Sequence, residues 1–405
     1  MVSFMQFLES KEVRMHLSIN LPEDIHVIHR VFKKSGKHLY LVGGAVRDAV
    51  LGKQPKDFDL ATNAQPTEVM EILKAGGINH TKGAVGNQFG VVIASIGNED
   101  YEIATFRKDS GSRQVADKFS HIQDDAERRD LTINALYYDL DSHEVVDLVG
   151  GLQDLKERRV KTVGDPDQRF GEDALRVLRY VRFYCRVNHG DIRGIDEATR
   201  AAIEKRVNNG LASDNGVAVA PERVRDEFIK GLKSAKSVVG YVSLYHQLGL
   251  LQKYVFPGLV VSHDYVETKN PVILVAHLLR LNDVEKIRRK LNQLKYTNDE
   301  VDNVVYLVNL LHLPNIQDKL KEHPAFLWSL RKGQRDMSPE DLEAWSQLHG
   351  LDTRAIQQLR THQLMNRDEV PGAAELQGKE IGQHIMQHNT KEMLRKMGFR
   401  EWLRS

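Results

Sequence analysis

The sequence predicts an α+β protein, with its strands gathered in the N-terminal part and helices filling the rest. Three observations carry this. Short apolar or alternating runs, LYLV, DFDLAT, FGVVIASI, DYEIATFR and EVVDLV, all fall between residues 39 and 149. After Gly150-Gly151 the strand signal fades, and long helical patterns run from about residue 167 to the end, broken at 210–219, Pro257-Gly258, Pro314 and Pro371-Gly372. The 405 residues exceed one typical core, so four parts are expected: an extension with a helix at 1–36, a head with a small mixed sheet at 37–150, and helical regions at 151–232 and 233–405.

The elements follow in order. PEDIHVIHRVFKK (22–34) reads as a helix, with Pro22 in its first turn, acids early, lysines late and Ser35-Gly36 at its end. The LYLV strand starts at Leu39. Helices are expected near 45–51, 66–75 and 131–138. The polar stretch KDSGSRQVADKFSHIQDD (108–125) is too weakly periodic for a regular element and is expected to be a mobile loop of functional length. No fixed-period repeat or low-complexity segment occurs.

With 57 basic against 56 acidic side chains, contact with a nucleic acid must come from local patches rather than from the overall field. Cys185 is the only cysteine, which excludes an internal disulfide or a cysteine metal cluster and fits a reducing cytoplasm. Charges at Glu9, Lys11, Glu12 and Arg14 interrupt the N-terminus, and no stretch is apolar enough to span a bilayer. A soluble cytoplasmic protein without membrane association is expected.

In DFDL, alternation places Asp57 and Asp59 on one face of a strand and sends Phe58 to the core. Two close carboxylates repel, so something positive must sit between them: a lysine such as Lys53 or Lys56, an arginine, or a divalent cation. Oxygen-only ligation suits Mg²⁺, which completes its shell with water and substrate phosphates. Upstream, Gly43 and Gly44 let backbone N–H groups approach an anion at the start of a helix, and Arg47 lies one turn in. A glycine turn, an arginine and paired acids are the parts of a metal-assisted nucleotidyl transfer. Glu102, in YEIATFR, is the candidate third acid, or else an edge-strand partner of Arg107 or Lys108.

ERRDLTINAL (127–136) holds Arg128, Arg129, Asp130 and Asn134 before an apolar run. Asp130 is expected to cap a helix starting at Leu131. Beside a phosphate site the arginines become a triphosphate clamp, and Asp130 with Asn134 can hydrogen-bond a ribose.

In GEDALRVLRYVRFYCRV, stepping about 100° per residue from Glu172 gathers Ala174, Val177, Leu178, Val181 and Cys185 on one side, which is the core. Glu172, Arg176 and Arg179 lie opposite, flanked by Asp173 and Arg182. The bland alternative is a solvated face of acid–arginine pairs worth about 0.2–0.5 kcal/mol each. The chemical alternative is base selection. Cytosine and adenine present an amino donor beside a ring-nitrogen acceptor. A carboxylate at Asp173 and a guanidinium at Arg176 match that pattern and repel uracil and guanine.

LVGGAVRDAVLG, KDFDLAT, RRDLTINAL and EDALRVLRYVRF, in this order and spacing, resemble the class II tRNA nucleotidyltransferases, the CCA-adding enzymes of the polymerase-β-like superfamily. The resemblance covers roughly residues 37–232, including APERVRDEFIKGL (220–232), similar to the motif that ends the family's neck. It implies a catalytic head, a base-selecting neck, and a helical body and tail that hold tRNA. It implies template-independent addition of CCA to the tRNA 3′ end from CTP and ATP with release of pyrophosphate. By motif position it puts Asp57 and Asp59 on Mg²⁺ and Gly44 with Arg47 on the triphosphate. Arg128 or Arg129, Asp130 and Asn134 fall around phosphates and sugar, and Asp173, Arg176, Arg179 and Arg182 on the base. The 108–125 loop takes the place of the family's switching loop.

Addition of CC alone or A alone, poly(A) polymerase activity, and non-catalytic RNA binding are the competing readings. His263-Asp264 is one dipeptide without partner histidines, so no HD-type phosphohydrolase activity is expected. Basic helices at 284–296 and 391–404 are candidate phosphate contacts.

Overall fold

The computed structural model describes residues 12–81, 90–107, 121–313 and 337–397. The chain divides into two compact units, Met1–Val219 with Ser234–Leu248, and Ala220–Lys233 with Gly249–Ser405. The expected neck motif at 220–232 therefore groups with the second unit, and residues 234–248 with the first.

The first unit is built on strands β1 (Val13–His16), β2 (Leu39–Val42), β3 (Leu60–Thr62), β4 (Asn79–His80), β5 (Val91–Ile96), β6 (Glu99–Thr105), β7 (Leu136–Asp139) and β8 (Glu144–Asp147). Among the described residues they form one sheet in the order β1-β8-β7-β2-β3-β6-β5-β4. Only β3 and β6 run parallel; their register sets Leu60 against Ile103. The N-terminal extension thus supplies an edge strand as well as its helix, with Val13 opposite Asp147.

Helices α1 (Glu23–Lys34), α2 (Gly44–Val50), α3 (Pro66–Ala75) and α4 (Ile122–Glu127) complete the head. In α1 the acids open and the lysines close the helix, complementing its dipole, while Ile25, Ile28 and Phe32 are buried. Val69, Ile72 and Leu73 of α3 are buried with them, and both helices pack on the sheet. The other sheet face carries Val42, Ala61, Phe106, Tyr137 and Val146, with Ala126 of α4 closing over them. Alternation sends residues 57, 59 and 102 to this same face.

Two elements differ from expectation. The stretch 131–138 is a 3₁₀ turn, Thr132–Asn134, followed by strand β7. Leu136, Tyr137 and Tyr138 are all buried, and a run buried on both faces has no period that separates strand from helix; the paired tyrosines favour the strand. The polar stretch 108–125 ends in α4, whose capping box joins His121 and Asp124. The rest of that expected loop, 108–120, lies outside the described residues.

The Asp147 carboxylate, 1% exposed, accepts from the backbone N–H of Val149, Gly150, Gly151 and Leu152 at 3.1, 2.9, 3.0 and 2.8 Å. It ends β8 and starts α5 (Gly151–Lys156). Then come α6 (Pro166–Glu172), capped by Asp165 through the Gln168 N–H at 2.9 Å, α7 (Leu175–Val187) and α8 (Glu197–Asn208). After α9 (Pro221–Ser234), helix α10 (Val238–Gln247) packs on α7.

The second unit holds α9 with α11 (Pro271–Leu279), α12 (Val284–Gln293), α13 (Asn298–Leu310), α14 (Pro339–His349), α15 (Thr353–Thr361) and α16 (Lys379–Lys396). Phe228 of α9 meets Phe256 edge-to-face at 5.8 Å. The expected basic helix at 284–296 is α12, which buries Ile287 and Leu291 and pairs Arg288 with Asp302. The expected helix at 391–404 is described only to residue 397, as the end of α16. Asp264 pairs with Arg280 at 3.1 Å, and its carbonyl lies 2.6 Å from His277 Nε2. No helix among the described residues is long and apolar enough to cross a membrane.

Candidate active site

Strand β3 begins at Leu60, so Asp57 and Asp59 sit on its entry rather than within it. The Asp59 carbonyl still accepts from the Val42 N–H at 2.9 Å, extending the β2–β3 pairing by one rung. Both aspartates are exposed and Phe58 is half-buried, not a core residue. Pro55 is the buried residue of this entry. Since Leu60 faces Ile103, Asp59 lies beside Glu102 on the adjoining strand. Asp57, Asp59 and Glu102 line one polar cavity of about 700 Å³.

Asp59 is exposed, yet the surrounding protein pushes its carboxyl up; Arg129 opposes this and the Asp57 charge adds to it. Neither aspartate forms an ion pair with Lys53 or Lys56. Among the described residues no group of three or more acid, histidine or cysteine side chains is close enough to hold a metal alone. Two mutually repelling carboxylates with oxygen-only donors fit a hydrated divalent cation that borrows ligands from substrate phosphates, and they do not fit a closed structural metal site.

Above this end lies the glycine turn. Gly43 has φ +68°, and a Cβ there would lie 3.3 Å from Arg129 Nη1, so both conformation and space call for glycine. Helix α2 then rises with Arg47 on its inner side. Arg47 is 3% exposed. It donates to Asn134 Oδ1 and, at 3.1 and 3.0 Å, to Asp48 Oδ1, and its guanidinium lies 4.9 Å from the Phe183 ring centroid. Burial, with Arg186 and Arg182 nearby, pulls it down to about 10 despite Asp48. The structure places Arg47 beneath the turn, supporting it, rather than reaching out from it.

Arg128 and Arg129 converge on a residue the sequence reading passed over, Asp125, which is 1% exposed. Arg128 Nε donates to its Oδ1 at 2.8 Å, Arg129 Nη2 to its Oδ2 at 3.1 Å, and the Tyr137 hydroxyl to Oδ2 at 2.7 Å. Burial pushes this carboxyl up, but Arg129 and Arg128 outweigh that and hold it below the usual range. The signal was present as spacings of three and four residues from Asp125 to the arginines.

Asp130 does not cap a helix, because none starts at Leu131. Its Oδ1 accepts from the Leu131 N–H at 2.9 Å and from Asn134 Nδ2 at 3.4 Å, and its Oδ2 from Arg179 Nε at 2.6 Å. Asn134 in turn holds Arg47.

The helix expected to run through Glu172 is two helices. Asp173 has extended backbone (φ −148°, ψ 108°) between α6 and α7, and its Oδ1 accepts from the Leu175 N–H at 3.0 Å. Downstream, the expected core face holds: Ala174, Val177, Leu178, Val181 and Cys185 are buried, and burial pushes the Cys185 thiol up to about 12. Glu172, at the end of α6, still pairs with Arg176 and also, at 2.8 Å, with Arg169. Arg176 Nη2 donates to the carbonyl of Arg128 at 3.1 Å. Arg182 lies 4.2 Å and Arg179 5.8 Å from the Phe183 ring centroid. Phe183, Asp48 and Arg186, the last two paired at 2.8 Å, were also unforeseen; they are contacts between distant segments that no local pattern announces.

Residues 39–161 match the family model of the poly A polymerase head domain. The mitochondrial CCA tRNA nucleotidyltransferase 1 of Mus musculus is 30% identical over 397 residues, covering 93% of this chain and 87% of its own. Poly(A) polymerase I of Salmonella typhi is 32% identical over 314 residues, covering 70% and 62%. The Bacillus stearothermophilus CCA-adding enzyme, solved in complex with CTP, superimposes with a TM-score of 0.62 at 23% identity over 95% of this chain and 99% of its own, a likeness of fold. Shared sequence across nearly the whole chain, together with this head, places the protein in the CCA tRNA nucleotidyltransferase family, as a nucleotidyltransferase.

Proposed function

We propose that this protein adds C, C and A to the 3′ end of tRNA, taking CTP and ATP and releasing pyrophosphate. The observation that carries the reading is the joining of two half-sites: Arg176, on the base-selecting segment, donates to the backbone of Arg128, in the phosphate-side segment. Asp57 and Asp59 would hold magnesium, and Glu102 lines the same cavity. When bound, the cation lowers the pKa of the attacking 3′ hydroxyl and neutralises the leaving pyrophosphate. The 3′ oxygen bonds to the α-phosphorus, the α–β bridging bond breaks, and the hydroxyl proton passes to Glu102 or to water. Arg128 and Arg129 offset the phosphate charge, Asp130 and Asn134 face the sugar, and Asp173 with Arg176 reads the base, supported by Arg179 and Arg182. The backbone N–H of Gly44, at the start of α2, approaches the triphosphate, braced by Arg47, while the Gly43 N–H holds the turn to the sheet by donating to the Leu136 carbonyl at 3.1 Å. The body and tail, residues 233–405, are assigned to tRNA. The compartment we infer is reducing, the cytoplasm, from the single buried thiol.

The test is incubation with transcripts lacking the terminal CCA, CA or A and each labelled nucleotide. The expected products end in CCA only. Long A tracts, formed whatever the RNA shape, would assign the poly(A) polymerase activity instead.

A further inference from the structure

We propose that Asp125 is a positioning residue for substrate binding: one buried carboxylate that sets the direction of both Arg128 and Arg129 toward the nucleotide triphosphate. This rests on the reading of those arginines as phosphate ligands. An arginine at a surface samples many rotamers, and two adjacent ones repel; a shared acceptor fixes both. Asp125 takes Nε of Arg128 at 2.8 Å and both Nε and Nη2 of Arg129 at 3.3 and 3.1 Å. Arg129 is thereby turned so that Nη1 meets the Asn134 carbonyl at 3.3 Å. The same Nη1 lies 3.3 Å from where a Cβ on Gly43 would stand, at the glycine turn.

The carboxylate is itself held from outside the arginine pair. Tyr137 of β7 donates to Oδ2 at 2.7 Å and the Arg107 N–H, just past β6, donates to Oδ1 at 3.3 Å. Two cations share one anion, so the cluster keeps a net positive charge for a polyanion while its geometry is fixed before substrate arrives.

The experiment measures KM and kcat for CTP and ATP, inhibition by pyrophosphate, and preference for CTP over UTP, in Asp125→Asn, Arg129→Lys and the double variant. The expected result for Asp125→Asn is a KM raised about 10-fold for both nucleotides and an equal weakening of pyrophosphate. kcat should stay within about 3-fold and base preference should not change. The double variant should be weaker than Arg129→Lys and no weaker than Asp125→Asn, since the carboxylate acts through both guanidiniums and Arg129 is one of them. A purely structural role predicts loss of kcat and of base preference along with KM, and that outcome overturns the proposal. If Arg129→Lys raises KM while Asp125→Asn does not, this proposal fails and the phosphate reading stands. If neither moves KM, both fail. Should Asp125→Asn not fold, Tyr137→Phe keeps the carboxylate and removes the hydroxyl that donates to it and accepts from Arg129 Nε at 2.9 Å; it should raise KM about 3-fold, and an unchanged KM overturns the proposal.

Discussion

Arg179 Nε donates to Asp130 Oδ2 at 2.6 Å, joining helix α7 to the turn that follows β6 and α4. The bond is one link of a closed circuit. Asp130 accepts from Asn134, Asn134 accepts from Arg47, Arg47 pairs with Asp48, and Asp48 returns to α7 through Arg186. Arg179 and Arg186 lie two turns apart on one face of that helix, so α7 is held at two points, with Phe183 between them receiving Arg47, Arg179 and Arg182 on its ring.

Acid unfolding should report the first of these links. Burial pushes the Asp130 carboxyl up, but Arg179 and the bonds from Asn134 and Leu131 outweigh it and hold it below its ordinary value. A carboxylate lowered on folding stabilises above the unfolded pKa of about 3.9 and loses that contribution as pH falls through the folded value. Asp130→Asn should therefore cost about 3 kcal/mol at pH 7, and its unfolding free energy should change less than the wild type's below about pH 4. Urea titrations across that range measure it; parallel curves would refute the linkage.

The second link is softer. Asp48 and Arg186 keep 21% and 26% of their side chains exposed, so Asp48→Asn should cost only about 1–2 kcal/mol. Its larger expected effect is on fidelity, because α7 loses one of two anchors to the head. Misincorporation of UTP should rise while tRNA affinity stays constant. Equal fidelity in variant and wild type would show that one anchor suffices.

Asp59→Ala should abolish incorporation at any magnesium concentration and leave tRNA binding nearly intact. The argument is electrostatic. Bare acids beside a phosphate backbone weaken RNA binding unless a cation neutralises them, so removing one does not remove affinity. Wild-type turnover in this variant would sink the metal assignment, and a gel-shift assay run alongside separates binding from chemistry.

How much of this was legible in the sequence depends on the range of the signal. Local patterns gave α1, β2, α2 and α3 and the buried face of α7, because apolar periodicity and turn residues act within a few positions. Within the helix expected at 131–138, residues 136–138 are strand, since both faces of that run are buried and the period vanishes. The break at Asp173 was also missed: Gly171, two residues before it, lies inside α6 and is compatible with a continuous helix, and the loop at 211–218 helps fix the break, with Ser213 Oγ accepting from the Ala174 N–H at 3.1 Å and Asp214 N–H donating to the Gly171 carbonyl at 2.7 Å. Among site residues, those in dense polar motifs stood out. Asp125 did not, although its spacings of three and four to the arginines were there to see, because what distinguishes it from any acid on a helix face is its burial and its bond from Tyr137, twelve residues on, which no local pattern announces.

The break at Asp173 refines the test of base selection. Truncation to alanine would remove both a carboxylate and the acceptor for the Leu175 N–H, confounding selectivity with folding. Asp173→Asn keeps an acceptor for that N–H while giving the side chain a donor. The amide can then meet the uracil carbonyl that the carboxylate repels, so the CTP-over-UTP preference should fall by about 10-fold or more with a thermal midpoint shifted by only a few degrees. An unchanged preference counts against Asp173 as the base reader.

Stability and site geometry meet again at Gly151. A Cβ there would collide with the carbonyl of Thr132 and crowd Leu136 at 3.1 Å. Backbone cannot swing aside as a long side chain can, so the turn Thr132–Asn134 must shift. Overpacking of this kind costs about 1–3 kcal/mol. The shift also has a direction: Asn134 holds Arg47 through its side chain and Arg129 through its carbonyl. Gly151→Ala should thus lower the melting temperature and raise KM for both nucleotides together. A variant that loses stability but keeps KM would mean that the turn relaxes away from the site, leaving Asn134 where it is.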